Sequence, residues 1–417
     1  MTKRRDFIKN SLGATAGITV AATGLGTMSS CEPEVEEQIL VAKDWHLDPE
    51  WRKIKYGDWN GPGVPSGQGP MDHVLLKDYA PRSSMIANKT FVPKARYPTI
   101  DVHVHSYYPE VKEGKKPEEA LADWVKTQEE VGIETSVVLT GATGAEFDRL
   151  VEMFLKPYPE QFQLYCGVLG TEIDKPDFPE RAVAELERCY QLGARGVGEL
   201  SDKGFGLTKN PNLAPEERLH NNDPRLDSFY RKCAELDLPV VIHMADHPSS
   251  WQPPDVHQER TPIFQQFNQY DGNGLSYDKL LDNLDKMLKK HPEATFVVCH
   301  LANLGNDLER LGKMVDDNPN MYLDMSARDY ELGRQPRGSA KFLSKYSDRV
   351  LFGTDMGMEK SMYQNWWRLL ESADEHITGR VWWRYYGLDL PDPVLEALYH
   401  DNAKRIMNWK EVETKER

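Results

Sequence analysis

Cysteine is sparse, five residues in 417, and none falls in a CxxC pair or at metal-finger spacing. A disulfide-stapled scaffold and a zinc-finger module are therefore excluded. Cys166 and Cys299 lie inside apolar, strand-like runs, so Cys166, Cys189, Cys233 and Cys299 are expected as buried free thiols. Beyond the first thirty residues no apolar run approaches the roughly 20 residues that a membrane-spanning helix needs. No GxSxG, GxxxxGK[ST] or HExxH pattern occurs, which sets aside a serine nucleophile elbow, a phosphate-cradling loop and a metalloprotease helix. The glycine-rich stretch 61–70 is interrupted by prolines and has no strand and helix flanking it. Positive charge is in deficit, 51 Lys and Arg against 66 Asp and Glu, for a net charge of −15. Such a surface repels phosphate backbones, and no basic cluster offsets it, so no nucleic-acid partner is expected.

What is present has the balance of a soluble globular protein, 39% hydrophobic and 28% charged. Residues 1–30 read as an address. Arg4-Arg5 precede Phe7-Ile8-Lys9, and a weakly apolar stretch from Leu12 to Met28 ends in Met28-Ser29-Ser30-Cys31. This is similar to a twin-arginine export signal followed by a lipobox. The expected location is exported, periplasmic or membrane-anchored, with the membrane met only through a lipid on Cys31. Residues 31–96, rich in Trp, Gly, Pro and Asp, read as a tether and N-terminal arm.

From residue 97 to 417 short apolar runs alternate with amphipathic stretches. Strands are predicted at 97–105, 133–141, 162–170, 194–200, 238–244, 294–300, 320–327 and 349–356. A helix follows each one: Pro117 to Val131, Ala145 to Leu155, Phe178 to Leu192, Pro224 to Asp237, Tyr277 to His291, Asp307 to Asp317, Ser339 to Tyr346 and Met362 to His376. Eight such units count out an α/β fold, a (β/α)8 TIM barrel with an N-terminal extension. A last helix, Pro391 to Met407, is expected on the outside, and Trp366, Trp367, Trp382 and Trp383 are expected in helix packing. Long connections at 201–222 and 245–276 should shape the active site.

The chemistry-bearing residues sit where these strands end. Strand 1 closes with His103-Val104-His105, strand 4 with Glu199, strand 5 with His243, strand 6 with His300 and strand 8 with Asp355. In a closed barrel these ends share one mouth, and residues two apart on a strand face the same way. His103, His105 and His243 are read as metal ligands completed by Asp355, with Glu199 and His300 as further ligands. Asp355 and His300 are the catalytic candidates, the first accepting a proton from water and the second polarising substrate. A divalent ion lowers the pKa of its water to about 7, which supplies a nucleophile near neutrality. Tyr107, His247, Trp251, Glu259, Arg260, Arg328 and Arg334 lie in loops on the same face. Tyr107, His247, Trp251, Arg328 and Arg334 are read as substrate-binding, the arginines suiting a carboxylate or a polyhydroxylated molecule.

The order His-x-His on strand 1, His on strand 5, His on strand 6 and Asp on strand 8 resembles the amidohydrolase superfamily. Over 97–407 it looks like the branch that includes decarboxylases and lactonases of small carboxylates, down to Thr99-Ile100-Asp101 and the run Arg349 to Asp355. The resemblance implies a divalent cofactor, zinc first and manganese second. Glu199 stands where some branches carry a carboxylated lysine, so one or two ions are left open. The expected activity is metal-dependent hydrolysis of an ester, lactone or amide bond of a small molecule. The rivals are a metal-dependent non-oxidative decarboxylase and a non-catalytic ligand-binding lipoprotein, and a homo-oligomer is left open.

Overall fold

A computed structural model describes residues 84–208, 212–255, 272–381 and 383–407, with isolated positions at 73–75, 78–79, 258–259 and 269–270. The signal segment, Cys31, the stretch 61–70, Arg260 and Trp382 lie outside the described residues. Residues 84–407 belong to one compact unit.

Eight parallel strands and their helices build this unit. They run β1 (Thr99–His105), α1 (Pro117–Val131), β2 (Ile133–Leu139), α2 (Gly144–Leu150), β3 (Phe162–Tyr165), α3 (Phe178–Gln191), β4 (Val197–Asp202), α4 (Asp227–Glu235) and β5 (Val240–Met244). Then follow α5 (Tyr277–Lys290), β6 (Phe296–Val298), α6 (Leu308–Asp317), β7 (Met321–Asp324), α7 (Asp329–Arg334), α8 (Pro336–Lys345), β8 (Val350–Leu351) and α9 (Lys360–Glu371). Strands pair in order from β1 to β3 and from β4 to β8. Two seams close the ring. Cys166 bridges to Val197, with Gly198 N–H donating to Cys166 O at 2.8 Å. At the other seam Val102 N–H donates to Phe352 O at 3.0 Å and Asp355 N–H to His103 O at 2.8 Å.

Both faces of each strand are buried, which is why the strands read as nearly continuous apolar runs. Val241, Val297 and Leu351 belong to an inner cluster, whereas Val240, Ile242, Phe296, Val298 and Val350 pack outward against the helices. The helices meet them with stripes at helical spacing: α5 buries Leu280, Leu281, Leu284, Met287 and Leu288 after a Ser276 cap that accepts from Lys279 N–H. Trp366 and Trp367 are buried in this layer, whereas Trp383 is 47% exposed. The four described cysteines are buried free thiols.

Several expectations need correction. The observed β6 and β8 are shorter than the apolar runs that announced them: His300 takes a left-handed backbone conformation, φ 58°, just after β6, and beyond β8 the Phe352 N–H donates to Leu398 O at 2.9 Å and not to a neighbouring strand of the same sheet. Two helices, α7 and α8, replace the single one expected after strand 7. An antiparallel pair, β9 (Ile377–Thr378) with β10 (Arg384–Tyr385), follows α9. The C-terminal helical stretch Asp392–Ile406 is not wholly external. Leu395 and Leu398 pack in the outer layer, but Ala403, Ile406 and Met407 join the inner cluster with Ile100 and Tyr165. They cover apolar side chains inside the barrel that would otherwise meet water.

Candidate metal centre

The alternation of β1 does not run straight through to its histidines. Ile100 and Val102 belong to the inner cluster while Val104 belongs to the outer one, and the pairing with β2 shifts register between Asp101 and Val104. That irregularity turns His103 and His105 toward the axis, their ring centroids 5.2 Å apart. Asp101, buried below them, accepts from Thr354 N–H at 3.0 Å, Thr354 Oγ1 at 2.6 Å and Tyr363 Oη at 2.8 Å, which ties the start of β1 to the end of β8. Gly353 makes the same junction sterically tight, since a Cβ there would stand 2.9 Å from His103 Cβ.

All six residues singled out as ligands come together. His105 Nε2 lies 2.9 Å from Asp355 Oδ1 and 3.8 Å from Glu199 Oε2, and His103 Nε2 is 3.6 Å from Asp355 Oδ1. His300 Nε2 lies 3.1 Å from His243 Nδ1 and 3.7 Å from Glu199 Oε1, and His243 Nδ1 also contacts Glu199 Oε1. Three overlapping groups have ligand atoms within 4.8 Å of one another: His103, His105 and Glu199; His103, His300 and Asp324; and Glu199, His243 and His300. The side chains of His103 and Asp324 are wholly buried, while Glu199, His105 and Asp355 retain 13%, 15% and 27% exposure, so the cluster opens on their side.

Hydrogen bonds fix which nitrogen faces the centre. His105 Nδ1 faces Leu139 O at 3.2 Å and His300 Nδ1 faces Ser326 O at 2.9 Å; a carbonyl can only accept, so each Nδ1 carries the proton. His103 Nδ1 likewise meets Asp324 Oδ2 at 2.8 Å. All three rings thus direct Nε2 inward, and His103 Nε2 is buried with no hydrogen-bond partner among the described residues, as is His243 Nε2. A neutral imidazole oriented by a carboxylate or carbonyl is the donor a divalent ion takes.

Electrostatics agree with that arrangement. Burial opposes charge on His103, but Asp324 outweighs it and pushes the ring up to about 10, while Asp324, for all its burial, falls to about 2 beside the imidazole. Burial and the adjacent His243 bring His300 down to about 4, which keeps it neutral. Burial would raise Asp355 and Glu199, yet the neighbouring imidazoles hold both below the usual carboxylate range. A cage of anionic oxygens and imidazoles holds protons that a cation can replace, and the donor set fits a divalent ion.

Sequence reasoning missed Asp324, although a polar residue ending the apolar run Met321-Tyr322-Leu323 carries the same signal as Asp355. Its Oδ1 accepts from His300 N–H at 2.9 Å and from Ser326 N–H at 3.0 Å, which holds His300 in its left-handed turn. It also missed Tyr108, whose hydroxyl donates to Asp355 Oδ1 at 3.4 Å, and Asp246, 3.8 Å from His243 Nε2. No local pattern marks either.

The residues read as substrate-binding divide. Tyr107 stacks on His105 with centroids 5.4 Å apart and is half-exposed at the mouth. His247 is buried, its Nε2 3.2 Å from Glu331 Oε1. Arg328 is buried too, donating to Tyr330 Oη at 2.7 Å, with Asp246 and Glu331 as its electrostatic partners. Trp251 donates to Leu275 O at 3.0 Å and packs against Tyr277, which ties down the long loop. Arg334 pairs with Glu259 and lies over the rings of Tyr330 and Trp383.

Several solved structures are similar to this chain at low identity. An uncharacterized TIM-barrel protein of Bordetella bronchiseptica is 18% identical over 74% of this chain and 97% of its own, TM-score 0.47. A 5-carboxyvanillate decarboxylase of Novosphingobium aromaticivorans, solved with manganese and 4-hydroxy-3-methoxy-5-nitrobenzoic acid, is 13% identical over 77% of this chain and 100% of its own, TM-score 0.46. A dihydroxybenzoic acid decarboxylase of Polaromonas, with bound manganese and the inhibitor 2-nitroresorcinol, is 17% identical over 76% and 98%, TM-score 0.46. No curated protein matches the chain. The family model described as Amidohydrolase matches residues 100–409, and the chain belongs to that family.

Proposed function

We propose that this chain is a metal-dependent hydrolase acting on an ester, lactone or amide bond of a small molecule, with His103, His105, His243, His300, Glu199 and Asp355 holding a divalent cation, zinc first and manganese second. The observation that carries the reading is the convergence of three Nε2 atoms, each with its Nδ1 already committed, on two ionised carboxylates at the open side of the cluster. Glu199 directs Oε2 toward His105 and Oε1 toward His243 and His300, so it could hold one cation or take part in holding two. When bound, such an ion lowers the pKa of water to about 7 and polarises a carbonyl.

The protein supplies the rest. Asp355, ionised and partly exposed, accepts the proton of the attacking water, and the Tyr108 hydroxyl fixes the carboxylate's orientation. Tyr107 offers an aromatic wall at the mouth. His243 supports a second reading, decarboxylation of a small carboxylate, in which His243, set between Glu199 and Asp246, would deliver a proton to carbon in place of holding the cation. The basic Arg4-Arg5 pair and Cys31 support export and lipidation, which intact-mass measurement of the mature protein tests.

The deciding experiment is metal quantification of purified protein, then assay of sugar-acid lactones, carboxylate esters and aromatic carboxylates, with acid release and carbon dioxide followed separately. Hydrolysis predicts acid without carbon dioxide. Asp355→Asn should lose roughly 10²- to 10⁴-fold in turnover while retaining most of its metal. A protein that binds a ligand equally well before and after that substitution, and turns nothing over, would be a binder. Material that takes up no divalent metal on titration would end both enzymatic readings.

A further inference from the structure

Ser326, just past the end of β7, is wholly buried, and its hydroxyl meets three groups at once: His300 Nδ1 at 2.8 Å, His103 Nδ1 at 3.1 Å and Asp324 Oδ1. Its backbone joins the same network, Ser326 N–H donating to Asp324 Oδ1 at 3.0 Å and Ser326 O facing His300 Nδ1 at 2.9 Å. His103, His300 and Asp324 are buried as well, so bulk water does not compete for these bonds. The other nitrogens of the two rings face the metal centre: His103 Nε2 lies 3.6 Å from Asp355 Oδ1, and His300 Nε2 lies 3.7 Å from Glu199 Oε1.

The partners alone place the hydrogens. Ser326 O is a carbonyl and can only accept, so His300 Nδ1 carries a hydrogen. His103 Nδ1 stands 2.8 Å from Asp324 Oδ2, and an ionised carboxylate only accepts, so this nitrogen carries one too. Neither Nδ1 then has a lone pair to offer the hydroxyl. The single O–H hydrogen of Ser326 must therefore point at Asp324 Oδ1, which leaves the oxygen's two lone pairs to receive the N–H groups of the two rings.

We propose, on the metal reading of the cluster, that Ser326 is a positioning residue whose one hydroxyl sets the same tautomer in two ligands, His103 on β1 and His300 beyond β6, and so keeps both Nε2 atoms for the divalent cation. The oxygen is anchored by a charge-assisted bond to Asp324 and receives both rings, which couples the orientation of one ligand to that of the other. Loss of a group that orients a metal-bound imidazole weakens metal binding roughly 10- to 100-fold. Asp324 Oδ2 and Ser326 O still accept from the two rings when the hydroxyl is removed, which sets the expected loss at the lower end of that range.

The test compares wild type, Ser326→Ala and Ser326→Thr, the last of which keeps a hydroxyl. Zinc affinity from chelator competition is read beside ¹H–¹⁵N spectra of the histidine rings in the zinc-loaded protein, where the two Nδ1–H signals of interest are those with nuclear Overhauser contacts to the residue 326 side chain. Ser326→Ala should bind zinc about tenfold more weakly and shift both Nδ1–H signals, while Ser326→Thr should stay close to wild type in both readouts. Zinc affinity in Ser326→Ala within about twofold of wild type would overturn the proposal. Weaker binding with both Nδ1–H signals unmoved would overturn it too, because a general loosening of the core would then account for the loss. A wild-type protein that takes up no zinc would end the metal reading itself and this role for Ser326 with it, an outcome distinct from equal affinity in wild type and Ser326→Ala. Should Ser326→Thr fail to fold, the comparison of Ser326→Ala with wild type still decides.

Discussion

Replacing Asp324 by Asn keeps the size of a wholly buried side chain and removes its charge. Oδ2 meets His103 Nδ1 at 2.8 Å, and Oδ1 accepts from the backbone N–H of His300 at 2.9 Å and of Ser326 at 3.0 Å. An amide has one acceptor oxygen and brings two donors of its own, so at least one of these groups must face another donor. Breaking a buried, hydrogen-bonded charge pair costs about 3–5 kcal/mol; His103 can shed its proton, which places the loss for the metal-free protein near the lower figure. In the metal-loaded protein the consequence is different, because an imidazole that has lost its orienting carboxylate binds metal roughly 10- to 100-fold more weakly. That corresponds to about 1.4–2.8 kcal/mol. Zinc affinity measured by competition with a chromophoric chelator, alongside urea unfolding of the metal-free protein, reads the two effects separately. Affinity within twofold of wild type would refute the role given to Asp324, and lost stability with intact affinity would remove His103 from the ligand set.

The same pair gives a pH signature. Asp324, depressed to about 2, contributes stability that is present above its ordinary pKa and is lost as pH falls through about 2, whereas His103, raised to about 10, contributes stability that is full below its ordinary value and is lost as pH rises through about 10. The stability gap between metal-free wild type and Asp324→Asn should therefore be widest between roughly pH 4 and 6.5; a gap that stays constant from pH 3 to 9 would dismiss the ion pair. Zinc affinity should rise from pH 6 to 9 as protons leave the cage, and isothermal titration in buffers of different ionisation enthalpy counts the protons released. Gly353→Ala sets a methyl 2.9 Å from His103 Cβ, so a loss of about 1–3 kcal/mol in denaturant unfolding and weaker zinc binding are expected together. Trp251→Phe removes the 3.0 Å bond to Leu275 O and should lower stability by about 1 kcal/mol with KM unchanged, whereas a tenfold rise in KM would return Trp251 to the substrate pocket.

Alternating apolar runs and amphipathic stretches were enough to count eight βα units, and a polar side chain ending an apolar strand marked His103, His105, Glu199, His243, His300 and Asp355 as neighbours in one mouth. These signals are local: each strand must be apolar on both faces to lie inside a barrel, so a His or Asp at its end stands out within a few residues. Tertiary structure decided what depends on partners distant in the chain. Asp324 orients His103 across 221 positions, and the register shift with β2 turns the two histidines inward where unbroken alternation would have turned them out. The left-handed backbone at His300 holds because Asp324 and Ser326 bind it there, and Ala403, Ile406 and Met407 reach the barrel interior because its lower end would otherwise expose apolar side chains. A sequence states which residues have chemistry to offer; packing against far-off neighbours sets the direction each one faces, and hydrogen bonding sets which atom of it remains free.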